Sequence, residues 1–501
     1  MAYIVSVDQS TVGTKAMVWD ERGRLLGRED LPHRQIKNEK GWVSHDPEEI
    51  YRNTAAAVKK VLEKAALSPD KVSAIGISNQ RETSVVWNRE TGKAFCDAVV
   101  WQCGRAAEFI KRISYPGFAE KVRDLTGLNL SPYFSGAKFG WVLANYPEAK
   151  EALERGILCC GTIDTWLVFK MTGGRSFKTD FSNASRTQLL DLGALAWNEG
   201  IVGDFGLKPG CLPEICMSDA CFGETSLEGL FKKPVPIHGV LADSSASLFG
   251  NQCRSPGMAK VTYGTGSSVM VNTGTIRPSP GPGVVASLAW GMEGRADYAL
   301  EGNINYSGAI IKWLAEEAGL INSPAEAGEI AASAGTTGGV YFVPAFSGLG
   351  APWFSDSARA AIVGMNRGTG KAQIVRAAEE SIAYQIKDVI RAIDASTGRP
   401  LSSIRADGGA TRDPFLMQFQ ADILGIELRV SGIEELSGAG AAYCAAIGAG
   451  LSTREKLFSE AGARIVRPAM EAGEAERLYE GWKKAVSLIT GPADFKGDRD
   501  E

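Results

Sequence analysis

Two stretches of this chain are built to hold a phosphate. Tyr3–Asp20 reads YIVSVDQSTVGTKAMVWD: an apolar run closed by Asp8, a small hydroxylated tip at Ser10–Thr14, then a second apolar run from Ala16 to Trp19. Small residues let the main chain approach an anion closely, so such a tip offers backbone N–H groups and hydroxyls to a phosphate. An acid closing the entering strand can hold a magnesium ion beside that phosphate, usually through water. Taken alone, the same residues also fit an ordinary hairpin with a polar turn. Met258–Gly274, MAKVTYGTGSSVMVNTG, repeats the pattern about half a chain later. Neither copy contains the GxxxxGK[ST] loop or a GxGxxG after the first strand.

The elements that must position these tips alternate between strand and helix. Asp46–Ala66 has a capping acid, Pro47 in the first turn and helical apolar spacing, and Lys71–Gln80 (KVSAIGISNQ) is a buried-type strand ending at Arg81–Glu82. Residues just past a strand's carboxyl end line the ligand crevice of an open α/β sheet. Val85–Trp87 and Ala98–Trp101 are further strands, Arg105–Arg123 reads as one helix, and Ser131–Gly136 is a tyrosine-bearing loop. Pro234–Gly250 (PVPIHGVLADSSASLFG) is a strand ending at Asp243, a Ser-rich turn and a short helix. In the second half, Lys371–Ala395 is the clearest amphipathic helix, Ile404–Ala410 enters a diglycine turn, and Asp413–Leu424 is helical. Ser437–Thr453, mostly Gly and Ala, suits a helix packed closely on a neighbour.

The whole is α/β. A length of 501 residues exceeds one ordinary core, so two domains are expected, 1–250 and 251–501. Twin phosphate hairpins imply a duplicated fold with a nucleotide clamped between the halves, as in the actin-like ATPases. The formal charge of -4 argues against a nucleic-acid surface. No window approaches the roughly 20 apolar residues of a membrane span. Nine scattered cysteines without CxxC, and no cleavable leader, lead us to expect reduced thiols and a cytoplasmic protein. His33, His45 and His238 lack ligand spacing, so a His-based zinc site is not expected.

The sequence resembles the FGGY carbohydrate kinases almost end to end. The likeness is carried by WVSHDPEEI (Trp42–Ile50), AIGISNQRET (Ala74–Thr83), VVWQC (Val99–Cys103), PYFSGAK (Pro132–Lys138) and GTIDTWL (Gly161–Leu167). It continues through NASRT (Asn183–Thr187), ALEGNI (Ala299–Ile304), VPAFSGLGAPW (Val343–Trp353), ESIAYQ (Glu380–Gln385), DGGA (Asp407–Ala410) and FLMQFQADILG (Phe415–Gly425). The resemblance implies two duplicated actin-like (ribonuclease H-like) ATPase domains around a cleft, and phosphorylation of a small polyol or sugar by ATP with Mg2+. It implies Asp243 as general base, where the alternative is a helix N-cap. Arg81 and Glu82 would bracket vicinal hydroxyls, where the alternative is a surface ion pair of little worth. Trp101 would wall the acceptor and Tyr133 add a hydroxyl, a buried core tryptophan being the alternative. Thr11, Val12, Gly13, Lys15 and Thr265 would meet the phosphates, Asp8 with Asp243 the metal, and Gly308, Lys312, Gly409 and Asp413 the adenosine.

The family branch most resembled acts on glycerol, which makes glycerol the first expected acceptor. Departures sit in the pocket: Ser244 replaces a usual Gln and Ser268 a usual aromatic, while Ser10–Gly13, Lys312 and Asp413 also differ. The lost Gln bond is worth about 0.5–1.5 kcal/mol. The space opened at Ser268 raises an alternative acceptor, a four- or five-carbon polyol or ketose. A different class, an ATPase acting through protein partners, has no need of Arg81, Glu82, Trp101, Tyr133 and Asp243. A homo-oligomer, dimer or tetramer, is expected. Thr225–Lys233 (TSLEGLFKK) lacks the Gly-rich basic loop and the histidine through which some family members are regulated.

Overall fold

Apolar runs on both sides of a tight tip pair with each other, and β1 (Tyr3–Gln9) and β2 (Gly13–Asp20) form an antiparallel hairpin. The structure, a computed structural model, describes residues 2–401, 403–433, 435–458 and 462–490. β3 (Leu25–Pro32) extends the hairpin antiparallel to β2. On the other side, β4 (Val72–Asn79) lies parallel to β1. β5 (Gly223–Thr225) and β6 (Val235–Ala242) complete this six-stranded sheet, in the order β5-β6-β4-β1-β2-β3 with β6 parallel to β4. β1 and β4 are almost wholly buried, as parallel strands covered on both faces must be. Helix α1 (Pro47–Lys64), capped by Asp46, covers β2 and β3. Helix α2 (Asp243–Gly250) starts where β6 stops.

The second sheet repeats the plan. β7 (Met258–Tyr263) and β8 (Ser267–Gly274) form the hairpin, and β9 (Val285–Met292) and β10 (Arg295–Ile304) extend it. β11 (Ser403–Asp407), β12 (Leu428–Val430) and β13 (Arg464–Val466) continue beyond β7, giving β9-β10-β8-β7-β11-β12-β13. As in the first sheet, the hairpin's third strand is antiparallel, and the next two beyond its first strand are parallel. This internal duplication is the actin-like (ribonuclease H-like) arrangement. Helices α3 (Gly308–Glu316), α4 (Ala327–Ser333), α5 (Lys371–Thr397) and α6 (Pro414–Leu424) pack in this half.

Helix α7 (Leu436–Gly448) belongs by sequence to the second half but packs on β1, β4, β6 and α2 of the first. Its Gly and Ala content allows backbone-to-backbone contact: a Cβ at Gly440 would stand 1.9 Å from the Ala246 carbonyl oxygen. A smaller antiparallel sheet carries the remaining site elements, in the order Ile36–Lys37, Val43–His45, Ala98–Val99, Ser84–Asn88, Leu158–Thr162.

One element differs from expectation. The helix read over Arg105–Arg123 is two, Ala107–Ile113 and Phe118–Thr126. Pro116 lacks an N–H and excludes its predecessor from helical geometry, so the chain breaks there. All nine cysteines are free. Among the described residues, no helix is long and apolar enough to cross a membrane.

Candidate active site

The two hairpin tips face one cavity of about 700 Å3 between the sheets. In the first, the Ser10 N–H and Oγ both donate to the Gly13 carbonyl, at 2.8 and 3.0 Å, closing the turn and leaving Val12 69% exposed at its apex. Asp8, at the end of β1, is buried and accepts from Ser78 Oγ at 2.9 Å. Burial raises its carboxyl to about 6, with Asp243 and Glu435 adding and Lys15 opposing. In the second tip, Gly264 N–H donates to Gly266 at 2.9 Å, and the first N–H groups of α3, from Gly308 and Ala309, donate to the carbonyls of Gly264 and Thr265 at 2.9 and 3.0 Å. Gly308 therefore anchors α3 to the tip. Thr11, Lys15 and Thr265 all line the cavity.

The polar set from the first half lines the same cavity: Arg81, Glu82, Trp101, Tyr133, Asp243 and Ser244, joined by Ser268 of β8. Asp243 is the first residue of α2, and its N-cap is Ala242, so the acid does not cap the helix in the usual sense. Its Oδ1 accepts from Ser244 N–H at 2.6 Å and meets Arg81 Nε at 3.2 Å, while the side chain stays 39% exposed. Arg81 is buried, so the surface-pair alternative does not apply. Glu82 adopts a left-handed backbone, φ +58°, where a β-branched residue would be strained. It is paired with Arg186 Nε at 2.6 Å. Trp101 is neither core nor free: its indole N–H donates to Thr11 Oγ1 at 2.9 Å, and its ring meets Tyr133 edge-on at 5.6 Å. The expected acceptor wall is thereby tied to the first hairpin tip. Lys138, fully buried, donates to the Tyr133 carbonyl and fixes that loop from behind; burial lowers its ammonium to about 7.

Several charged residues of the site escaped the sequence reading. Glu301, on β10 and wholly buried, takes both guanidinium nitrogens of Arg81 at 2.7 Å each. It also lies 3.1 Å from Arg186 and accepts from Ser268 Oγ at 3.2 Å. Burial alone would raise its carboxyl, but Arg81 and Arg186 hold it well below the usual range. Lys260 and Asp407 line the cavity floor; burial depresses the Lys260 ammonium, and Asp407 accepts from Asn251 Nδ2 at 2.5 Å. Glu435, just before α7, bridges Lys15 at 2.8 Å and Arg28. The signal for Glu301, Arg186 and Asp407 lay in the stretches ALEGNI, NASRT and DGGA, quoted above only for resemblance.

The other expected nucleotide contacts are dispersed. Gly409 lines an adjoining chamber of about 540 Å3, which shares Asp407, Gly408 and Glu435 with the main cavity. Asp413 caps α6, and Lys312 pairs with Glu316 at 3.5 Å on the exposed side of α3. Among the described residues lining these two spaces, Val12, Gly13, Gly308, Lys312 and Asp413 are not found. No cluster of three or more His, Cys, Asp or Glu able to hold a metal occurs among the described residues. Asp8 and Asp243, which feel each other's charge across the cavity, instead suit an ion that takes one or two carboxylates and completes its shell with phosphate and water.

Comparison with known proteins places the chain in a family. The N-terminal domain of the FGGY family of carbohydrate kinases matches residues 3–250, and its C-terminal domain residues 259–449. Glycerol kinase 1 of Thermotoga maritima is 45% identical over 97% of this chain and 99% of its own. Glycerol kinase of Carboxydothermus hydrogenoformans is 43% identical over 97% of each. Among solved structures, Plasmodium falciparum glycerol kinase with ADP superposes with a TM-score of 0.91 at 33% identity, covering 98% of both chains. Gluconate kinase from Lactobacillus acidophilus, 20% identical, shares the fold with a TM-score of 0.87 over 98% of this chain.

Proposed function

The chain belongs to the FGGY family of carbohydrate kinases, and from that premise we propose that it phosphorylates glycerol to glycerol 3-phosphate with ATP. The observation that carries the reading is one cavity lined by both hairpin tips and by the Arg81–Asp243 pair. Phosphoryl transfer asks for alignment and charge neutralisation more than for covalent chemistry. Thr11, Lys15 and Thr265 line the space where the triphosphate chain would lie, with Val12 and Gly13 completing the first tip. Trp101 and Tyr133 wall the acceptor, and Arg81 and Glu82 reach its hydroxyls.

Asp243 takes the hydroxyl proton as the oxygen attacks. Arg81 Nε and the Ser244 N–H both engage Oδ1, which leaves Oδ2 to point at the alcohol. Asp8 and Asp243 would hold Mg2+ through water, and that ion would neutralise charge on the phosphates. Lys15 of the first sheet and Lys260 of the second both line the cavity and add positive charge there. Asp243→Asn keeps the shape and removes the base. It lowers kcat by roughly 10²–10⁴-fold with an unchanged unfolding midpoint; near-normal kcat excludes the role.

A second reading is favoured by the small side chains of Ser244 and Ser268 on the cavity wall, Ser268 being turned to Glu301. The acceptor is then a four- or five-carbon polyol or ketose. A coupled ADP assay comparing kcat/KM for glycerol, tetritols, pentitols and pentuloses separates the two. A clear glycerol preference discards the longer acceptor, and ATP turnover unaffected by any polyol discards both.

A further inference from the structure

Neighbouring acids on α5 meet different fates. Glu380 is neutralised by Arg376 at 2.7 Å and accepts from the Tyr384 hydroxyl at 3.0 Å. Glu379, 2% exposed, instead turns to Asp413 and shares a hydrogen bond with it. Its Oε2 has no donor. Asp413 is already engaged: Oδ1 accepts from the Phe415 and Leu416 N–H groups at 2.8 and 3.3 Å, capping α6. The backbone of α4 closes the third side, for a Cβ on Gly328 would lie 2.2 Å from Asp413 Oδ1 and 2.3 Å from Oδ2.

The surrounding charges do not neutralise this pair. On α5, Arg376 is committed to Glu380 and to the Ala331 carbonyl at 3.4 Å. The first turn of α6 carries no acid and its last turn no base. Glu329 of α4, and Arg412 in the turn before Asp413, are exposed, and the charge acting on Glu379 is that of Asp413. Carboxyl groups in contact and out of water do not both ionise. Asp413 Oδ1 already accepts from two backbone N–H groups at the positive end of α6, so the proton between the pair belongs to Glu379. Glu379 is therefore the neutral acid, and its O–H is the donor.

We propose that Glu379 is a positioning residue for the nucleotide: its un-ionised carboxyl donates to Asp413 and so holds the α6 N-terminus and the Gly409–Arg412 turn in place. The link to that turn is direct, since Asp413 N–H donates to the Ala410 carbonyl at 3.1 Å. The proposal rests on the reading that Gly409 and Asp413 border the adenosine. Burial and the Asp413 charge both push the Glu379 carboxyl well above its ordinary value. A raised acid is favourable while protonated, so its contribution is complete at low pH. It is lost as pH climbs past the ordinary carboxylate range to the folded-state value.

The test uses the full-length protein, Glu379→Gln and Asp413→Asn between about pH 7 and 9, above the range in which Asp8 titrates, following the unfolding midpoint without nucleotide and the KM for ATP. In the wild type both worsen as pH rises, KM by up to about tenfold per pH unit through the titration, while kcat and the acceptor KM hold. Glu379→Gln, whose amide donates the same bond at every pH, keeps a low KM and removes the trend from both measurements. Asp413→Asn keeps the capping oxygen but not the charge, and shifts the falling limb to lower pH. Wild-type and Glu379→Gln midpoints that run parallel overturn the shared proton. A midpoint trend that disappears in Glu379→Gln, with KM for ATP flat in both proteins, overturns the positioning role and shows that the adenosine lies elsewhere.

Discussion

Asp8 faces opposing demands: it is buried beside Asp243 and Glu435, yet the proposed role needs its negative charge. Because the carboxyl is raised to about 6, its charged form dominates above that pH and is lost as pH falls through it. The expected kcat/KM for ATP therefore declines by about tenfold per pH unit below about pH 6. Asp8→Asn is low throughout and lacks this limb; an unaltered limb in that variant assigns the titration to another group. The position of Asp8 was legible because a strand ending in an acid before a small polar tip is a local pattern. Glu301 was not. A single acid in a strand reads as its polar face, and the Arg81 that neutralises it lies 220 positions away. Trp101 was half legible: its type alone fitted a core tryptophan, the family resemblance suggested a wall, and only the fold brings its indole to Thr11.

At the scale of elements, the twin hairpins were readable because each is self-contained and each is repeated. The partner of a Gly- and Ala-rich helix is not readable in this way, since such a surface names no complement. α7 could be foreseen as closely packed, but not as packed on the opposite half. The closeness makes it sensitive. Gly440→Ala drives a methyl into the Ala246 carbonyl, 1.9 Å away, and is expected to destabilise by about 1–3 kcal/mol. Calorimetry showing a lowered unfolding midpoint, with KM values changed less than stability, is the expected result; an unchanged midpoint means the helices separate without cost.

Across the whole molecule, the proposed acceptor groups hang mainly from the first half and the second hairpin from the other, so the proposed chemistry needs both walls together. Lys15 and Arg28 already reach Glu435 at the mouth of the cavity. Closure of a two-walled cleft expels water before the phosphoryl group is committed. Small-angle scattering is expected to give a smaller radius of gyration with a non-hydrolysable ATP analogue and glycerol together than with neither. An identical profile in both states means the cleft is already shut. The path of α7 has a separate consequence for how the protein is made. Residues 436–448 cover strands that leave the ribosome hundreds of residues earlier. The nascent first lobe thus waits, with an apolar face bare, until residues 436–448 have been synthesised. A fragment ending at residue 250, the expected division, inherits that bare face for good, and is expected to aggregate where the intact chain folds.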